Sequence, residues 1–511
     1  SLLSLLPLSL SLSHSPLLSS SSPSSSDMKP EMVTLFSLIL PCLIFSATEA
    51  NSSTSQDKEK QLVLNLQKFQ WEKHQHPKNS ACFSHKSKEN EDPTILELEI
   101  KHRDFCLGKT SNLDKRLQER VIQDQTHVQF LQTRIKNLIA GELQTIFDTQ
   151  MPLSSGTRLE ILNYVVTMQL GGKNMTVIVD TGSDLTWVQC QPCRSCYNQQ
   201  EPLFDPSNSL SYRSISCNSS TCKSLQQQTG TFQPCWYTSS TCGYYVSYGD
   251  GSYSRGELAT DRLDLGKSRV DSFVFGCGKS NKGLFGEASG LMGLGKGDVS
   301  LISQTSTLFG GVFSYCLPST DTGDSGSLIL GGNSSVYRNE TPLSYTKMLQ
   351  DSQLSSFYML NLTGIIVGNS SLKSSSVGHN EILIDSGTVI TRLPPSIYFA
   401  LKDEFTKQFY GYPSAPGFSI LDTCFNLSGY KEVNFPTIRM QFQGNAELDV
   451  DVNGVFYFVK ADGSQVCLAF ASLMYEDETA IIGNYQQKNL RVVYDTKQSI
   501  VGFGKEQCDF A

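Results

Sequence analysis

The chain has 511 residues, a formal net charge of −8 and no Lys/Arg block long enough to follow a phosphate backbone, so nucleic acid is not an expected partner. That length exceeds what one hydrophobic core organises, and two or more domains are expected. Of 7 histidines, His14, His74, His76, His85, His102 and His127 precede Met151 and only His379 follows it. A body so poor in histidine is ill equipped for Ser-His-Asp, Cys-His or His-rich zinc chemistry, which leaves carboxylates. No metal and no cofactor is expected.

Residues 1–27 are Ser/Leu/Pro low complexity and read as non-coding upstream sequence translated in frame, or extra leader, with Met28 as the start. Residues 28–50 have the layout of a signal peptide: Lys29, an apolar run from Val33 to Ser46, and the small-residue site Ala47–Ala50. The run is short for a bilayer span, and a signal anchor is the alternative. Residues 51–150 differ from all that follows, being rich in Lys, Glu, Gln and His and poor in Gly. Ile95–His102 alternates as a strand does. Asn112–Ile146 reads helical, with Leu113, Leu117, Val121, Val128, Leu131, Ile135 and Leu138 at three-, four- and seven-residue steps. The segment reads as a removable propeptide, with an independent helical domain as the alternative.

From Tyr164 the pattern turns to short apolar strands. Val177–Val188 reads V-I-V-D-T-G-S-D-L-T-W-V, and the pattern returns at Ile382–Ile390 as I-L-I-D-S-G-T-V-I. A second repeat follows each copy: Leu291-Met292-Gly293 and Ile481-Ile482-Gly483. Two elements recurring in the same order indicate a duplicated lobe, with boundaries at 151–340 and 341–511. Tyr244–Tyr248, then Gly249-Asp250-Gly251, then a return to Leu265 signals a hairpin. Phe273–Gly276 reads as a short strand, and Ser396–Gln408, after Pro394-Pro395, as a helix.

Cys42, Cys82 and Cys106 lie upstream of Met151, which leaves 12 cysteines. These are Cys190, Cys193, Cys196, Cys217, Cys222, Cys235, Cys242, Cys277, Cys316, Cys424, Cys467 and Cys508, an even set suited to six disulfides in an oxidising compartment. Residues 190–242 hold seven of them in a loop-rich insert with little apolar content. A zinc knuckle at Cys190-x-x-Cys193 is the rival and lacks histidine. Sequons begin at Asn51, Asn174, Asn218, Asn333, Asn339, Asn361, Asn369 and Asn426; Asn174 precedes a strand expected to be buried. The C-terminus carries no apolar tail, so no GPI anchor is expected.

Residues from about 160 to 508 resemble a pepsin-type aspartic protease, specifically a plant nepenthesin-like member. Asp180-Thr181-Gly182-Ser183 and Asp385-Ser386-Gly387-Thr388 match the two active-site loops, and the apolar-apolar-Gly pair matches the segments beneath them. Tyr248-Gly249-Asp250-Gly251 matches the flap, Trp187 its partner, and the Cys-rich stretch the nepenthesin-type insert. No saposin-like insert is present. The resemblance implies a mainly β, bilobal pepsin-like fold of two related lobes with the cleft between them. It also implies the pairings Cys190–Cys193, Cys196–Cys277, Cys217–Cys242, Cys222–Cys235, Cys316–Cys508 and Cys424–Cys467.

The expected function is an aspartic endopeptidase that cuts protein or peptide substrates at acidic pH. Its own propeptide would act as intramolecular inhibitor. Two carboxylates sharing one proton supply both the base that activates water and the acid that protonates the carbonyl. Two charges about 4 Å apart at an effective dielectric near 20 repel by roughly 4 kcal/mol, which splits the ionisations by about 3 pK units. Gly182 and Gly387 turn the loops, while the Ser183 and Thr388 hydroxyls face the carboxylates. Asp184 reads as a surface or loop residue outside the pair, and Trp187 serves equally as core. A monomer in the secretory pathway is expected, extracellular (apoplast) first and vacuolar second, without a membrane anchor. The alternatives are a catalytically silent pepsin-like binding or inhibitor protein and a plastid DNA-associated protease. The acidic part from Met151 on, with 25 Lys/Arg against 32 Asp/Glu, argues against the latter.

Overall fold

The computed structural model describes residues 61–66, 86–89, 92–102, 113–140, 164–229, 240–248, 252–283, 285–319, 325–332, 342–373, 381–508 and 510. All of them fall in one unit, Asp57–Ala511. The expected leader, signal peptide and hairpin tip Gly249–Gly251 lie outside these residues.

The strand Leu96–His102 (β1) and the helix Leu113–Ala140 (α1) come from the segment read as a propeptide. Next come Tyr164–Leu170 (β2), Lys173–Asp180 (β3) and Trp187–Gln189 (β4). Gly243–Ser247 (β5) and Tyr253–Leu265 (β6) form the hairpin, and Gly290–Gly293 (β7) passes beneath the first loop. In the second half the counterparts are Glu381–Ile384 (β8), Thr391–Leu393 (β9) and Ala480–Ile482 (β10).

The architecture is mainly β, in two β-rich lobes. A 15-stranded sheet carries β1 to β7 and also takes in the C-terminal strands Leu490–Asp495 and Ile500–Lys505. An 8-stranded sheet carries β8, β9 and β10. The duplication is visible in the register. β7 runs parallel to β3, with Gly293 opposite Asp180, and β10 runs parallel to β8, with Ile482 opposite Ile384. β7 also pairs antiparallel with β4, as β10 does with β9.

Short runs of Val, Ile and Leu suit these strands because they are covered on both faces: Val177, Ile178, Val179, Ile382, Leu383 and Ile384 are all 2% exposed or less. The apolar-apolar-Gly signature has a steric cause. A Cβ on Gly293 would run into the Asp184 carbonyl, and one on Gly483 into the Val389 carbonyl. The supporting segments pass so close beneath the loops that no side chain fits.

β1 lies inside the large sheet, pairing with Gly326–Leu330 on one side and β2 on the other. α1 packs along the C-terminal half. Leu117 and Val121 join a cluster with Val389, Ile390, Tyr457 and Tyr485. Val128, Leu131 and Ile135 join Phe357, Met359, Leu383 and Ile481. Each such side chain contributes about 1.5–3 kcal/mol, so the helix is held mainly by apolar packing. The helix Pro395–Gln408 begins where the sequence indicates.

Two expectations need correction. Phe273–Gly276 is the centre of a 15-residue strand, Ser268–Lys282, whose polar, partly exposed ends carry no apolar signal. The reading of Asn174 as preceding a buried stretch holds: Asn174 is exposed and Met175–Asp180 are buried.

The second correction concerns the disulfides. Cys190 bonds Cys277, Cys193 bonds Cys196, and Cys222 bonds Cys242. This overturns the pairings Cys190–Cys193, Cys196–Cys277, Cys217–Cys242 and Cys222–Cys235. The physical reason is strand neighbourhood: β4 lies parallel to Ser268–Lys282, with Val188 opposite Cys277, which puts Cys190 at that strand. Cys217 is also disulfide-bonded, to a partner outside the described residues. Cys316–Cys508 and Cys424–Cys467 are as expected.

Candidate active site

β3 ends in Asp180, Asp385 directly follows β8, and the two loops they open meet face to face. Asp180 is 5% exposed and Asp385 0%. The Gly182 N–H donates to Oδ1 of Asp180 and the Gly387 N–H to Oδ1 of Asp385, both at 2.9 Å. The Ser183 hydroxyl donates to Oδ2 of Asp180 at 2.6 Å, and the Thr388 hydroxyl to Oδ2 of Asp385 at 2.7 Å. The loops also clasp one another: the Thr181 N–H donates to the Ser386 hydroxyl (3.1 Å), and the Ser386 N–H to the Thr181 hydroxyl (2.9 Å). A Cβ on Gly182 would press on the Asp385 carboxylate, and one on Gly387 on that of Asp180. A Cβ at either glycine would come within 3.3 Å of an Oδ1 of both aspartates, which sets the two carboxylates side by side.

Support comes from behind. The Asn484 amide donates to the Ser386 carbonyl at 2.9 Å, and Gln487 to the Asp385 carbonyl at 3.3 Å. Burial, and then the charge of Asp385, push the pKa of Asp180 up to about 6. Burial acts to raise Asp385 as well. There the His127 imidazole, the Thr388 hydroxyl and the Gly387 amide prevail and hold it below the ordinary carboxylate value.

Tyr248, at the end of β5, receives a hydrogen bond from Trp187 Nε1 at 2.7 Å. Phe285 packs edge-on against both rings, at 4.9 Å from Trp187 and 5.6 Å from Tyr248. Trp187 is fully buried, so it is at once core and partner of Tyr248. Asp184 corrects the surface reading: it is 3% exposed and accepts the Gly297 N–H at 2.8 Å. Burial raises its pKa.

α1 covers this site. His127 Nε2 lies 3.5 Å from Oδ2 of Asp385. Arg134 donates to the Gly182 carbonyl at 3.1 Å and stands over the Phe357 ring at 4.9 Å. One turn before His127, Asp124 meets Arg392 of β9 at 2.6 Å. Burial acts to lower the pKa of His127, but Asp385, Asp180 and Asp124 raise it to about 9. The space left beside the aspartates, lined by Phe130, Leu131, Arg134 and Tyr248, has a volume of about 60 Å³, well below the roughly 300–1,000 Å³ of ligand pockets. Asp124, His127, Arg134 and Arg392 were not legible as site residues. The only signal was that the three on α1 fall at the three-, four- and seven-residue steps of its apolar face.

The fold and the twin loops define a bilobal pepsin-like protein. Two family models match the chain, one described as xylanase inhibitor N-terminal over residues 164–332 and one as xylanase inhibitor C-terminal over residues 357–505. An aspartyl protease family protein of Arabidopsis thaliana is 43% identical over 392 residues, covering 75% of this chain and 81% of the relative. Aspartic proteinase nepenthesin-1 of Nepenthes gracilis is 34% identical over 358 residues, covering 68% and 78%. Among solved structures, basic 7S globulin from soybean superposes with a TM-score of 0.54 at 23% identity, covering 67% of this chain and 91% of that one. The structure titled edgp gives 0.56 at 18% identity, covering 82% and 96%. The chain belongs to the pepsin-type aspartic protease family, in its plant nepenthesin-like branch.

Proposed function

We propose that the chain is an aspartic endopeptidase made as a zymogen, which hydrolyses peptide bonds at acidic pH with a water activated between Asp180 and Asp385. The observation that carries this reading is the pair of buried carboxylates in matched loops, each with one inner and one outer hydrogen bond. The ionised member takes a proton from the attacking water, and the protonated member gives one to the peptide carbonyl. Trp187 donates to the Tyr248 oxygen, which leaves the Tyr248 O–H free to donate to a bound peptide. Closing the hairpin over that peptide excludes water. Passage through the secretory pathway is consistent with this reading, since disulfides form in oxidising compartments.

In this reading α1 is the intramolecular inhibitor. It fills the space a peptide needs and sets a cation against Asp385. The test compares the full chain before and after acid treatment, alongside Asp180→Asn and Asp385→Asn, on denatured protein from pH 2 to 8. Activity appearing only after acid, and absent in both variants, is expected. Equal activity before and after treatment would remove the zymogen, and hydrolysis retained in either variant would remove the paired mechanism.

A second reading, an inhibitor or binding protein without catalysis, is favoured by one observation: the matching family models are described as xylanase inhibitor domains. Its signature is a fall in xylanase activity on adding the acid-treated chain, with denatured protein left intact.

A further inference from the structure

Arg392 is fully buried, and its counter-ion sits on the helix that covers the site. Its Nη2 donates to Oδ2 of Asp124 at 2.6 Å, and its Nη1 to the Ile390 carbonyl at 3.0 Å. The Val389 N–H donates to Oδ1 of Asp124 at 2.6 Å, and the Ile390 N–H to Oδ2 at 3.1 Å. Asp124 is itself 1% exposed. One guanidinium and two backbone amides, all from the four residues Val389–Arg392, thus converge on a single carboxylate. Among the described residues no other acidic side chain pairs with Arg392. Its buried Nε has no acceptor.

A guanidinium with two fixed amides is a donor set matched to a carboxylate. When α1 leaves, a guanidinium and two N–H groups lose the acceptor they share, and a peptide carboxylate could take its place. We propose that Val389–Arg392 is a specificity site that binds an Asp or Glu side chain of the peptide substrate. This rests on the endopeptidase reading above. Asp124 and His127 are three residues apart, about 4.5 Å along a helix, and His127 marks the aspartate pair. An extended peptide advances about 3.3 Å per residue, so the acidic residue falls one or two positions from the scissile bond. The shared proton leaves a negative charge on Asp180 and Asp385, which repels an acidic peptide; Arg392 offsets that repulsion.

The experiment uses the acid-treated chain and peptides of one sequence carrying Asp, Glu or Asn at each position within two residues of the scissile bond. At one position the Asp peptide is expected to exceed the Asn peptide in kcat/KM by about 10- to 100-fold, the scale of a charge-assisted hydrogen bond. In Arg392→Met that ratio should fall to near one, and Arg392→Lys should keep part of it. Equal kcat/KM at every position, or a ratio preserved in Arg392→Met, overturns the proposal. Should Arg392→Met fail to fold, a synthetic 113–140 peptide and its Asp124→Asn version are compared for binding to the acid-treated wild-type chain. At least tenfold weaker binding of the Asn version is expected, and equal binding overturns the site. If the acid-treated chain cleaves no peptide at all, the endopeptidase reading fails, while the binding arm still decides whether Val389–Arg392 takes a carboxylate.

Discussion

His127 Nε2 and the Thr388 hydroxyl converge on the same oxygen of Asp385, Oδ2, at 3.5 Å and 2.7 Å. The covering helix therefore takes up part of the hydrogen-bonding capacity of one of the two paired carboxylates. A proton acceptor held by an imidazolium and a hydroxyl is not free to act as a base.

That contact has a definite pH window. His127 is raised from 6.5 to about 9. Its support for the covered state is complete below about 6.5 and is lost as pH rises through about 9. Asp385 is held below 3.8. Its support is present above 3.8 and is lost as pH falls through the depressed value. Asp180, raised to about 6, works the other way, because protonating it relieves a buried charge. Asp124 and Arg134 also face this region. Release should therefore wait for pH below about 4, and His127→Gln should move the midpoint of conversion upward by about one unit, equivalent to about 1.4 kcal/mol. Activity and gel mobility after timed incubation across pH measure this. An unmoved midpoint would show that His127 takes no part.

Asp180→Asn and Asp385→Asn should each lower kcat by about 10²–10⁴-fold or more, the scale of general acid–base catalysis. The Thr181–Ser386 exchange and the loop amides do not depend on the missing charge. Thermal midpoints should therefore stay within a few degrees of wild type. Calorimetry beside kinetics separates a lost reaction from a lost fold.

Tyr248 and Trp187 should respond differently to removal of their shared hydrogen bond. Tyr248→Phe is expected to reduce kcat/KM about tenfold with little change in stability. Trp187→Phe leaves a void in a fully buried site against Phe285. It should cost about 1–3 kcal/mol of stability as well as activity. Equal behaviour of the two variants would mean that packing accounts for both.

The disulfide Cys190–Cys277 closes a separation of 87 residues and Cys193–Cys196 one of 3. On loop entropy the first contributes about 4–5 kcal/mol and the second below about 2 kcal/mol. Replacing Cys190 and Cys277 together by Ser should lower the thermal midpoint far more than replacing Cys193 and Cys196. Peptide mapping without reduction should recover both pairs, and a 190–193 link would refute the assignment.

What was legible in the sequence is what depends on neighbours along the chain. Apolar runs ending in Asp180 and Asp385, and the apolar-apolar-Gly segments, each carry their steric reason within a few residues. The pairing of Cys190 was not legible, because it depends on which strand β4 lies beside. Asp124 and Arg392 are 268 residues apart, and neither belongs to a local pattern. His127 and Arg134 lie on a helix whose apolar periodicity announces packing; nothing in that periodicity says that the surface packed against holds two aspartates. Asp184 read as a surface or loop residue because it stands outside the two paired aspartates. Its burial comes from Gly297, 113 residues away.

The position of β1 bears on how a shortened form of this protein would behave. β1 pairs over five residues with Gly326–Leu330, and again with β2 at Lys101 and His102. A single cut anywhere between α1 and β2 severs the backbone but breaks none of those pairings. The N-terminal piece would remain woven into the large sheet as a second polypeptide. The nicked protein would migrate as one particle under native conditions and as two bands in detergent. Scission and departure are then separate events with separate rates, and the slower of the two sets when the cleft opens.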